Sequence, residues 1–557
     1  MRRSWLLLIA FILSLVVGGA QSVGAVTADA GLSTGTGTAT TTSVEDPALY
    51  STFVARHSSL CMDVGGGSTA NGASVVQRSC GPALSQQWRL EDTSLGYVHI
   101  IARHSSKCLN VEGKSAADGA AVVQWLCTTG SNDDWKLEDT GSGYYRLVAR
   151  HSGKCLKVSA GSTAQDAAFV QWTCDGSSSE QFNRAPVTTQ VVTWGASTDK
   201  LPQAAGQDLT HRLIVHTSTG GSGLRIRLSN AFGDHPVTFG AAWVGQWSAG
   251  GAVAPGTNRP LTFGGLGSVT VPAGGSVYSD QLNSTVQPGS DLAVSLYIQQ
   301  ASGILTGHNV ASQTSYSAPA GNHAADESQT SYTGTTTSWA YLDAVVVDAP
   351  AGTGAVATLG DSITDGFKSP TNLNHRWPDF LATRLRDSSD TLIKGVANEG
   401  ITGNKVLIDG AGQSAITRLE RDVLTQPGLK TIVLLEGVND INHTTTLTAQ
   451  QLINGYTDIV NRAHAAGVCV VGATVMPFEG GTQKWTPEKD ALRNEVNAFI
   501  RTGGLFDAVV DTDAVLRDPA HPSRLLPEYD NDHLHPNDAG RQAIADSISL
   551  DKLNCTR

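Results

Sequence analysis

An apolar run ends in a glycine-flanked Asp-Ser pair in the stretch Ala355-Val356-Ala357-Thr358-Leu359-Gly360-Asp361-Ser362-Ile363-Thr364-Asp365-Gly366. A short apolar run bounded by turn residues is typical of a buried strand. A serine just after such a strand can lie on the sharp turn that opens a helix. Two interpretations of Ser362 are open at this point: it caps that helix, as serines often do, or it is a nucleophile. The residues downstream decide between them.

Strands and helices alternate from residue 355 onward. We predict strands at 355–359, 392–397, 431–435, 468–475 and 506–511. Helices fill the gaps, and the clearest of them follows a capping box formed by Thr448 and Gln451 and stops at Gly467. This alternation predicts a parallel sheet with right-handed crossovers. Such a sheet binds ligands beyond the carboxyl ends of its strands.

Polar blocks follow four of these strands, and we expect them to meet at one edge of the sheet. The blocks are Ser362, Asn398–Gly403, Gly437–Asp440 and Asp530–Pro536. Together they offer a hydroxyl nucleophile, a histidine to take its proton, a carboxylate to orient that histidine, and donors for a tetrahedral oxyanion. Acyl transfer needs these groups.

The four blocks resemble those of the SGNH hydrolases, also called GDSL esterases and lipases, in order and in residue type over about 351–550. The resemblance implies a flavodoxin-like, three-layer α/β domain that uses no metal and no cofactor. It implies that Ser362 is the nucleophile and His535 the base. The Gly400 amide and the Asn439 side chain would act as oxyanion donors with the Ser362 amide. Gly-Asp-Ser-Ile differs from the family's Gly-Asp-Ser-Leu only by an aliphatic exchange.

The motif Asp-x-x-His fits this chain in two registers, 530–533 and 532–535. We choose the second, because a proline and a capping asparagine follow His535, as in the family's block before its last helix. Asp532 would then orient His535, and His533 would be a neighbour with a structural role or a contact to substrate.

Length, charge and the N-terminus limit the class of protein. A chain of 557 residues favours about three domains. A net charge of −12 gives no basic footprint for nucleic acid. The basic start and the short apolar run from Trp5 to Val17 have the pattern of a signal peptide, which we assign to residues 1–30. A Ser/Thr/Gly-rich linker at 31–47 would follow. No later stretch is apolar enough to span a membrane, so we expect a secreted, extracellular protein.

An Ala-Arg-His-Ser motif occurs three times, starting at residues 55, 102 and 149, with a period of 47 residues. A cysteine follows each copy, and a second cysteine lies 19 positions later. In an exported chain this regular spacing implies disulfides, which we expect to join Cys61 to Cys80, Cys108 to Cys127, and Cys155 to Cys174. Zinc binding is the disfavoured alternative, since no cysteine pair has the close spacing of a zinc knuckle. Cys469 and Cys555 form a possible fourth pair, with a buried free Cys469 as the alternative.

The three repeats, over residues 48–185, resemble the ricin B-chain lectins, whose lobes form a β-trefoil with a Gln-x-Trp signature. Residues 86–88 match this signature, and residues 133–135 and 180–182 are eroded versions of it. The resemblance implies that the signature aromatics pack in the core and that sugar stacks on another ring beside a polar residue. The candidate sugar-binding residues are Asp63, Gln86, Asn110, Trp125, Asn132 and Trp172. A purely structural trefoil with degenerate pockets is the alternative.

Residues 186–350 alternate apolar and polar positions, as in 224–228 and 292–298, with glycine-rich turns between the runs. This pattern predicts an ancillary β-sandwich. Its histidines have no metal-ligand spacing, and we interpret them as ordinary surface or strand residues: His211, His216, His235, His308 and His323. In the catalytic domain, we interpret Glu436 as a carboxylate at a strand end whose hydrogen bonds are satisfied. We interpret Asp361 and Asp365 as acceptors of turn amides, and Trp377 as a packing residue.

The leading hypothesis is a secreted serine esterase, with a catalytic domain at 351–557, that removes short acyl groups from a polysaccharide. Acetyl is the expected group, the trefoil would tether the enzyme to the acylated glycan, and we expect a monomer. A lipase or an aryl or feruloyl esterase of the same fold is the first alternative. A non-catalytic carbohydrate-binding protein is the second.

Overall fold

The computed structural model describes residues 50–481 and 484–554. The predicted signal peptide, the predicted linker and Cys555 lie outside these residues. The described chain is multidomain: a trefoil-like region, a group of antiparallel sheets, and a parallel sheet flanked by helices. No helix within the described ranges is long and apolar enough to cross a membrane.

The first region is a β-trefoil built from short antiparallel strands. Its core holds the three signature aromatics, Trp88, Trp135 and Phe182, each 0% exposed. The indole N–H groups of both tryptophans donate to strand carbonyls, at 3.1 Å to Met62 and 2.8 Å to Leu109. The strands are β1 (Tyr50–Ala55), β2 (Cys61–Val64), β3 (Ala73–Arg78), β4 (Trp88–Asp92), β5 (Val98–Ala102), β6 (Cys108–Val111), β7 (Val122–Trp125), β8 (Asp134–Gly141), β9 (Tyr144–Ala149), β10 (Cys155–Val158), β11 (Phe169–Trp172) and β12 (Phe182–Pro186).

Each copy of the Ala-Arg-His-Ser motif contacts a neighbouring lobe, which explains why the motif repeats. The arginines lie over tyrosine rings at 4.7 to 5.1 Å from their centroids: Arg56 over Tyr144, Arg103 over Tyr50 and Arg150 over Tyr97. The histidine Nε2 atoms contact serine carbonyls at 2.8 to 3.0 Å: His57 with Ser162, His104 with Ser68 and His151 with Ser115.

The three disulfides predicted for the trefoil are confirmed. Each joins cysteines 19 positions apart, with Cα atoms 5.0 to 5.1 Å from one another: Cys61–Cys80, Cys108–Cys127 and Cys155–Cys174. In the loop-entropy picture, a closed loop of this size stabilises a lobe by about 3 kcal/mol. The predicted pair of Cys469 with Cys555 stays a prediction.

The middle region is a β-sandwich, as the alternating pattern predicts. One sheet has the order β13-β27-β16-β21, a larger one has the order β18-β17-β22-β15-β24-β25, and β14, β23 and β26 form a third. Apolar side chains of β15, β16, β17, β22 and β27 share one buried cluster. The strands are β13 (Thr188–Gly195), β14 (Asp199–Ala204), β15 (Leu209–His216), β16 (Ser222–Ser229), β17 (Val237–Ala249), β18 (Ala252–Val253), β19 (Arg259–Pro260), β20 (Val269–Val271), β21 (Ser276–Tyr278), β22 (Asp291–Gln300), β23 (Ile304–His308), β24 (Ser315–Ala318), β25 (Gly334–Thr336), β26 (Trp339–Ala340) and β27 (Leu342–Pro350).

The C-terminal region has a parallel sheet of order β29-β28-β30-β31-β32, which is the flavodoxin-like order expected. Its strands are β28 (Gly354–Gly360), β29 (Ile393–Gly400), β30 (Leu429–Leu435), β31 (Cys469–Ala473) and β32 (Ala508–Val510). Its helices are α1 (Ser362–Asp365), α2 (Trp377–Asp387), α3 (Ala415–Arg418), α4 (Val438–His443), α5 (Ala449–Ala465), α6 (Pro487–Thr502), α7 (Thr512–Leu516) and α8 (Asp538–Ser547). The predicted capping box of Thr448 and Gln451 opens α5.

The sandwich packs directly against the parallel sheet, and its strand β13 runs beside β29. A Cβ on Gly195 would lie 2.8 Å from the Cβ of Ala397, so this close approach requires glycine. The Val396 amide donates to Ser218 Oγ at 2.9 Å. Apolar residues of both regions form one buried cluster: Val191, Val192, Ala344, Val346, Ala349, Ala355 and Ala397. The two regions therefore share a core, which places sandwich residues next to the loops at the carboxyl edge of the sheet.

Candidate active site

Ser362 opens α1 directly after β28, as the opening stretch predicts. The Asp361 carboxylate caps this short helix by accepting from the Ile363 amide at 3.0 Å. Trp377 is 0% exposed, and its indole N–H donates to Thr364 Oγ1 at 3.3 Å, so its packing supports the same turn. The hydroxyl thus sits on a rigid strand-to-helix junction at the carboxyl edge of the sheet.

The structure brings Ser362, His535 and Asp532 into one hydrogen-bonded chain. Ser362 Oγ lies 2.9 Å from His535 Nε2. On the other side of the ring, His535 Nδ1 lies 3.0 Å from Asp532 Oδ2, and the His535 amide donates to Asp532 Oδ1 at 2.8 Å. A carboxylate accepts, so Nδ1 carries the ring proton and Nε2 is free to accept from Ser362. This is the relation that a nucleophile, a base and an orienting acid require.

Burial and nearby charges together set the pKa values of His535 and of its carboxylate partner. Burial opposes ionisation of Asp532, but hydrogen bonds from Lys368 and His535 outweigh it and hold the pKa of Asp532 well below its usual value. The Lys368 ammonium lies 2.7 Å from this carboxylate. Burial lowers the pKa of the His535 imidazole below 6.5, Asp532 opposes this shift, and Lys368 and Arg541 add to it. The imidazole is therefore neutral at neutral pH.

Both candidate registers of Asp-x-x-His form a pair, but only one reaches the serine. His533 Nδ1 lies 2.6 Å from Asp530 Oδ2, and its side chain is 57% exposed. His535 is 7% exposed and contacts Ser362. The chosen register, Asp532 with His535, is the one that fits the geometry.

Gly400 does not fit its predicted role as an oxyanion donor. Its amide donates to Asn398 Oδ1 at 3.0 Å, so the N–H group is already occupied. Gly400 also lies inside β29, where a Cβ would clash with the α1 backbone at 2.2 Å from the Asp365 nitrogen. The glycine is thus needed for close packing beneath the nucleophile turn.

Gly403, at the end of the same block, has an amide N–H group that is free within the described chain, whereas that of Gly400 is occupied. Among the described residues, the N–H groups of Gly403 and Ser362 donate to no protein acceptor. The Asn439 side chain donates to the Asn404 carbonyl at 3.0 Å, which leaves its second N–H and ties it to the Gly403 turn. Ser362, Gly403 and Asn439 follow β28, β29 and β30, whose carboxyl ends lie side by side. The three groups therefore emerge at one edge of the sheet.

Glu436 differs from the prediction of a satisfied carboxylate. It is 3% exposed, and neither of its carboxyl oxygens has a hydrogen-bond partner within the described part of the chain. Burial raises its pKa well above the usual value. Burial also raises the pKa of Asp361 to about 7. Burial thus opposes the ionisation of both carboxyl groups.

The sequence suggested that His308 is an ordinary surface or strand histidine, and the structure shows that it is not. It is 5% exposed, and its Nε2 lies 2.9 Å from Asp365 Oδ1, so it links the sandwich to α1. Asp365 accepts a turn amide as predicted, from Thr402. A cavity of about 240 Å³ opens beside this contact, with walls from both domains that include Asp199, Lys200 and Asn309. No sequence motif marks His308, because its partner lies in another domain.

The polar sugar-binding candidates of the trefoil form pairs in the first two lobes. The Gln86 amide donates to Asp63 Oδ2 at 3.0 Å, and the Asn132 amide donates to Asn110 Oδ1 at 2.9 Å. Asp63 Oδ1 and Asn132 Oδ1 are buried without a hydrogen-bond partner in the described chain. Each of these two lobes therefore keeps one buried acceptor without a hydrogen-bond partner among the described residues. In the third lobe, a lysine fills the corresponding place: Lys157 pairs with Asp175.

Exposed rings occur in the second and third lobes. Trp125 and Trp172 are each 42% exposed. One edge of the Trp125 ring lies beside Gly72, and one edge of the Trp172 ring lies beside Gly119. A Cβ added to these glycines would lie 3.5 and 3.6 Å from the rings. In the first lobe the corresponding contact is the ion pair Arg78–Asp166 at 2.6 Å. The second lobe is thus the one that combines an exposed ring with an unsatisfied buried acceptor.

Two family profiles match the chain. Residues 358–543 match the GDSL-like Lipase/Acylhydrolase family. Residues 40–125 and 131–201 match the ricin-type β-trefoil lectin domain-like family. Comparison with the curated proteins finds no match.

Solved structures resemble parts of the chain. A designed threefold-symmetric protein, ThreeFoil, is 45% identical, with a TM-score of 0.25, over 25% of this chain and 99% of that chain. The exo-β-1,3-galactanase 1,3Gal43A from Clostridium thermocellum is 34% identical, with a TM-score of 0.25, over 25% of this chain and 30% of that chain. A putative lipolytic protein of the G-D-S-L family from Desulfitobacterium hafniense DCB-2 is 18% identical, with a TM-score of 0.28, over 35% and 96%.

Proposed function

We propose that this chain is a secreted serine esterase and that it removes acetyl groups from a polysaccharide. The premise is that the chain joins a GDSL-type acylhydrolase domain to a ricin-type lectin domain. The observation that carries the proposal is the chain of hydrogen bonds from Ser362 through His535 to Asp532. The three trefoil disulfides support an extracellular location, since such bonds persist in oxidising compartments.

The proposed reaction uses this chain of hydrogen bonds in both of its halves. His535 Nε2 takes the Ser362 proton while Oγ attacks the ester carbonyl, and Asp532 stabilises the imidazolium that forms. The N–H groups of Ser362, Gly403 and Asn439 would meet the oxyanion. The C–O bond of the ester then breaks, the imidazolium protonates the departing sugar oxygen to a hydroxyl group, and an acyl-Ser362 remains. A water molecule, deprotonated by the same imidazole, releases acetate and restores the serine.

The polysaccharide part of the proposal rests on the trefoil. The second lobe offers the exposed ring of Trp125 for stacking, and the same lobe carries the polar pair of Asn110 and Asn132. Binding through the trefoil would raise the local concentration of ester without any new contact at Ser362.

A substrate comparison tests this proposal. We expect the full chain to release acetate from acetylated xylan and to prefer p-nitrophenyl acetate over long-chain esters. We expect Trp125→Ala to lower acetate release at low polysaccharide concentration by about tenfold, the factor that a lost contact of about 1.4 kcal/mol gives. Its rate on p-nitrophenyl acetate should not change.

Leu95→Ala is the matched control, because Leu95 is an exposed apolar residue of the same trefoil, at 84% exposure. It should leave both rates unchanged. A preference for long-chain esters would reject the acetyl esterase in favour of a lipase. Equal xylan rates for the wild type and Trp125→Ala would reject the tether through the second lobe.

The pH dependence follows from the environment of His535. A protonated imidazole cannot take the Ser362 proton, so kcat/KM should rise with pH as His535 loses its proton. Because burial lowers the pKa of His535 below 6.5, the half-maximal point of the acid limb should lie below pH 6.5. The measurement is the pH profile of kcat/KM on p-nitrophenyl acetate, and a half-maximal point above pH 7 would contradict the described environment.

A further inference from the structure

His308 belongs to the sandwich, yet its ring is enclosed at the contact with the catalytic domain. Nδ1 lies 2.8 Å from the Ser197 carbonyl, and Nε2 lies 2.9 Å from Asp365 Oδ1 and 3.1 Å from the Val310 carbonyl. Trp339 covers the ring at a centroid distance of 5.4 Å. Carbonyl groups and a carboxylate only accept hydrogen bonds, so both ring nitrogens must donate. The hydrogen-bond geometry therefore makes His308 an imidazolium.

Asp365 links His308 to the loop that contains Gly403. It is the last residue of α1, the turn that Ser362 opens. Its Oδ2 accepts from the Thr402 amide at 2.7 Å and from Thr402 Oγ1 at 2.6 Å, while Oδ1 faces His308. Thr402 directly precedes Gly403. One carboxylate thus joins the sandwich, the nucleophile turn and the Gly403 turn.

We propose that His308 is a positioning residue for the esterase reaction, and that the sandwich supplies it to hold the Gly403 amide in place through Asp365 and Thr402. The inference rests on the proposed function. An imidazolium between two fixed partners sets the position of the carboxylate more closely than a neutral side chain would, since charge-assisted hydrogen bonds are shorter and stronger. The β-sandwich is then part of the catalytic unit.

The charge on His308 fits its surroundings. Burial alone would lower the pKa of His308, but the Asp365 carboxylate and the two carbonyls raise it above the usual value. Other ionisable groups of both domains lie around the contact between His308 and Asp365, and their titration will also contribute to the measured pH profile. They are Asp199, Lys200, Arg376, Glu399 and Arg418.

The first test is His308→Gln in the full chain, with p-nitrophenyl acetate as the probe. We expect kcat to fall by about 100-fold, the size of loss that a misplacement near 1 Å produces, with KM changed less than threefold. The wild-type rate should also decline at alkaline pH as His308 loses its proton, and this decline should be absent from the variant. Replacement of a residue that only stabilised the fold would lower the melting temperature, but it would not lower kcat while leaving KM nearly unchanged.

The control and a second pair of variants keep the test decisive. His323→Gln removes a comparable pair, with Asp326 at 2.8 Å, elsewhere in the sandwich, and should keep kcat within twofold. Thr402→Val should reduce kcat about tenfold, because it removes one of the two hydrogen bonds that Thr402 gives Asp365, and Thr402→Ser should restore the rate. This pair decides the case if His308→Gln does not fold.

The outcomes separate this inference from the proposed function. A wild-type chain without esterase activity would reject the proposed function itself. An active wild type, with kcat within twofold of it in both His308→Gln and Thr402→Val, would overturn only the role given to His308.

Discussion

Ser362→Ala should lower kcat/KM on p-nitrophenyl acetate by a factor on the order of 10⁵, the size of loss that removal of a nucleophile causes in serine hydrolases. The hydroxyl oxygen lies 2.9 Å from His535 Nε2. Without it no acyl-enzyme would form, although the proposed oxyanion donors and the proposed base remain. Because Ser362 is buried at the first position of a short helix, alanine should be accepted there, and the melting temperature should stay close to that of the wild type.

A covalent label gives a second, independent measurement for this prediction. A fluorophosphonate should add one adduct to the wild type and none to Ser362→Ala, as read by intact mass. Ser369→Ala, in the segment that follows α1, is the control and should retain both labelling and activity. Full activity in Ser362→Ala would remove the basis for assigning any hydrolase chemistry to this site.

The order of the polar blocks was enough to predict where the site lies. Strands that alternate with helices favour a parallel sheet, so Ser362 and Asn439, which follow two of the strands, were expected at one edge, and the observed strand order has this result. His535 follows β32 only after α7, and it meets Ser362 at the same edge. The trefoil followed from a repeat, and its disulfides from a fixed cysteine spacing. Each of these features is set by local sequence together with a general rule of chain topology. The catalytic roles themselves stay predictions until activity is measured.

What the sequence could not show depends on which hydrogen bonds are already made. The block Asn398–Gly403 contains two glycines, and no pattern tells which amide is free. Only the fold shows that Asn398 occupies the Gly400 amide and leaves that of Gly403. Glu436 is a similar case, because its carboxyl group is buried just after β30 and has no hydrogen-bond partner among the residues that the structure describes. Contacts of this kind are tertiary and leave no periodic signal.

The role of the sandwich was missed for the same physical reason. His308 and Asp365 lie 57 positions apart in different domains, and nothing in their neighbouring residues predicts a contact. The sandwich and the parallel sheet nevertheless share a buried apolar cluster, and Gly195 allows the two backbones to approach closely. The shared cluster indicates a fixed contact between the two regions, which makes a positioning role for a sandwich residue physically reasonable.

Asp532→Asn should lower kcat on p-nitrophenyl acetate by about 10⁴-fold, the loss seen when the orienting acid of a catalytic triad becomes an amide. Asparagine keeps an oxygen for the His535 amide, but its NH₂ group can donate to Nδ1. The imidazole would then carry its proton on Nε2, where it cannot accept from Ser362. The charge that Lys368 pairs with is also lost. The measurement is kcat across a pH series, since a tautomer held in the wrong form is not corrected by raising the pH to 8.

Asp530→Asn is the matched control, because it makes the same change in the competing register of the motif. Asp530 pairs with His533, whose side chain is 57% exposed and does not contact Ser362 in the described structure. Its amide variant should therefore keep kcat within about threefold of the wild type, since a surface pair of this kind contributes little. If Asp530→Asn lost activity and Asp532→Asn kept it, the acid would belong to the other register, and the described path from Asp532 through His535 to Ser362 would be wrong. Two substitutions of equal chemistry, two residues apart, thus separate the orienting carboxylate from its neighbour.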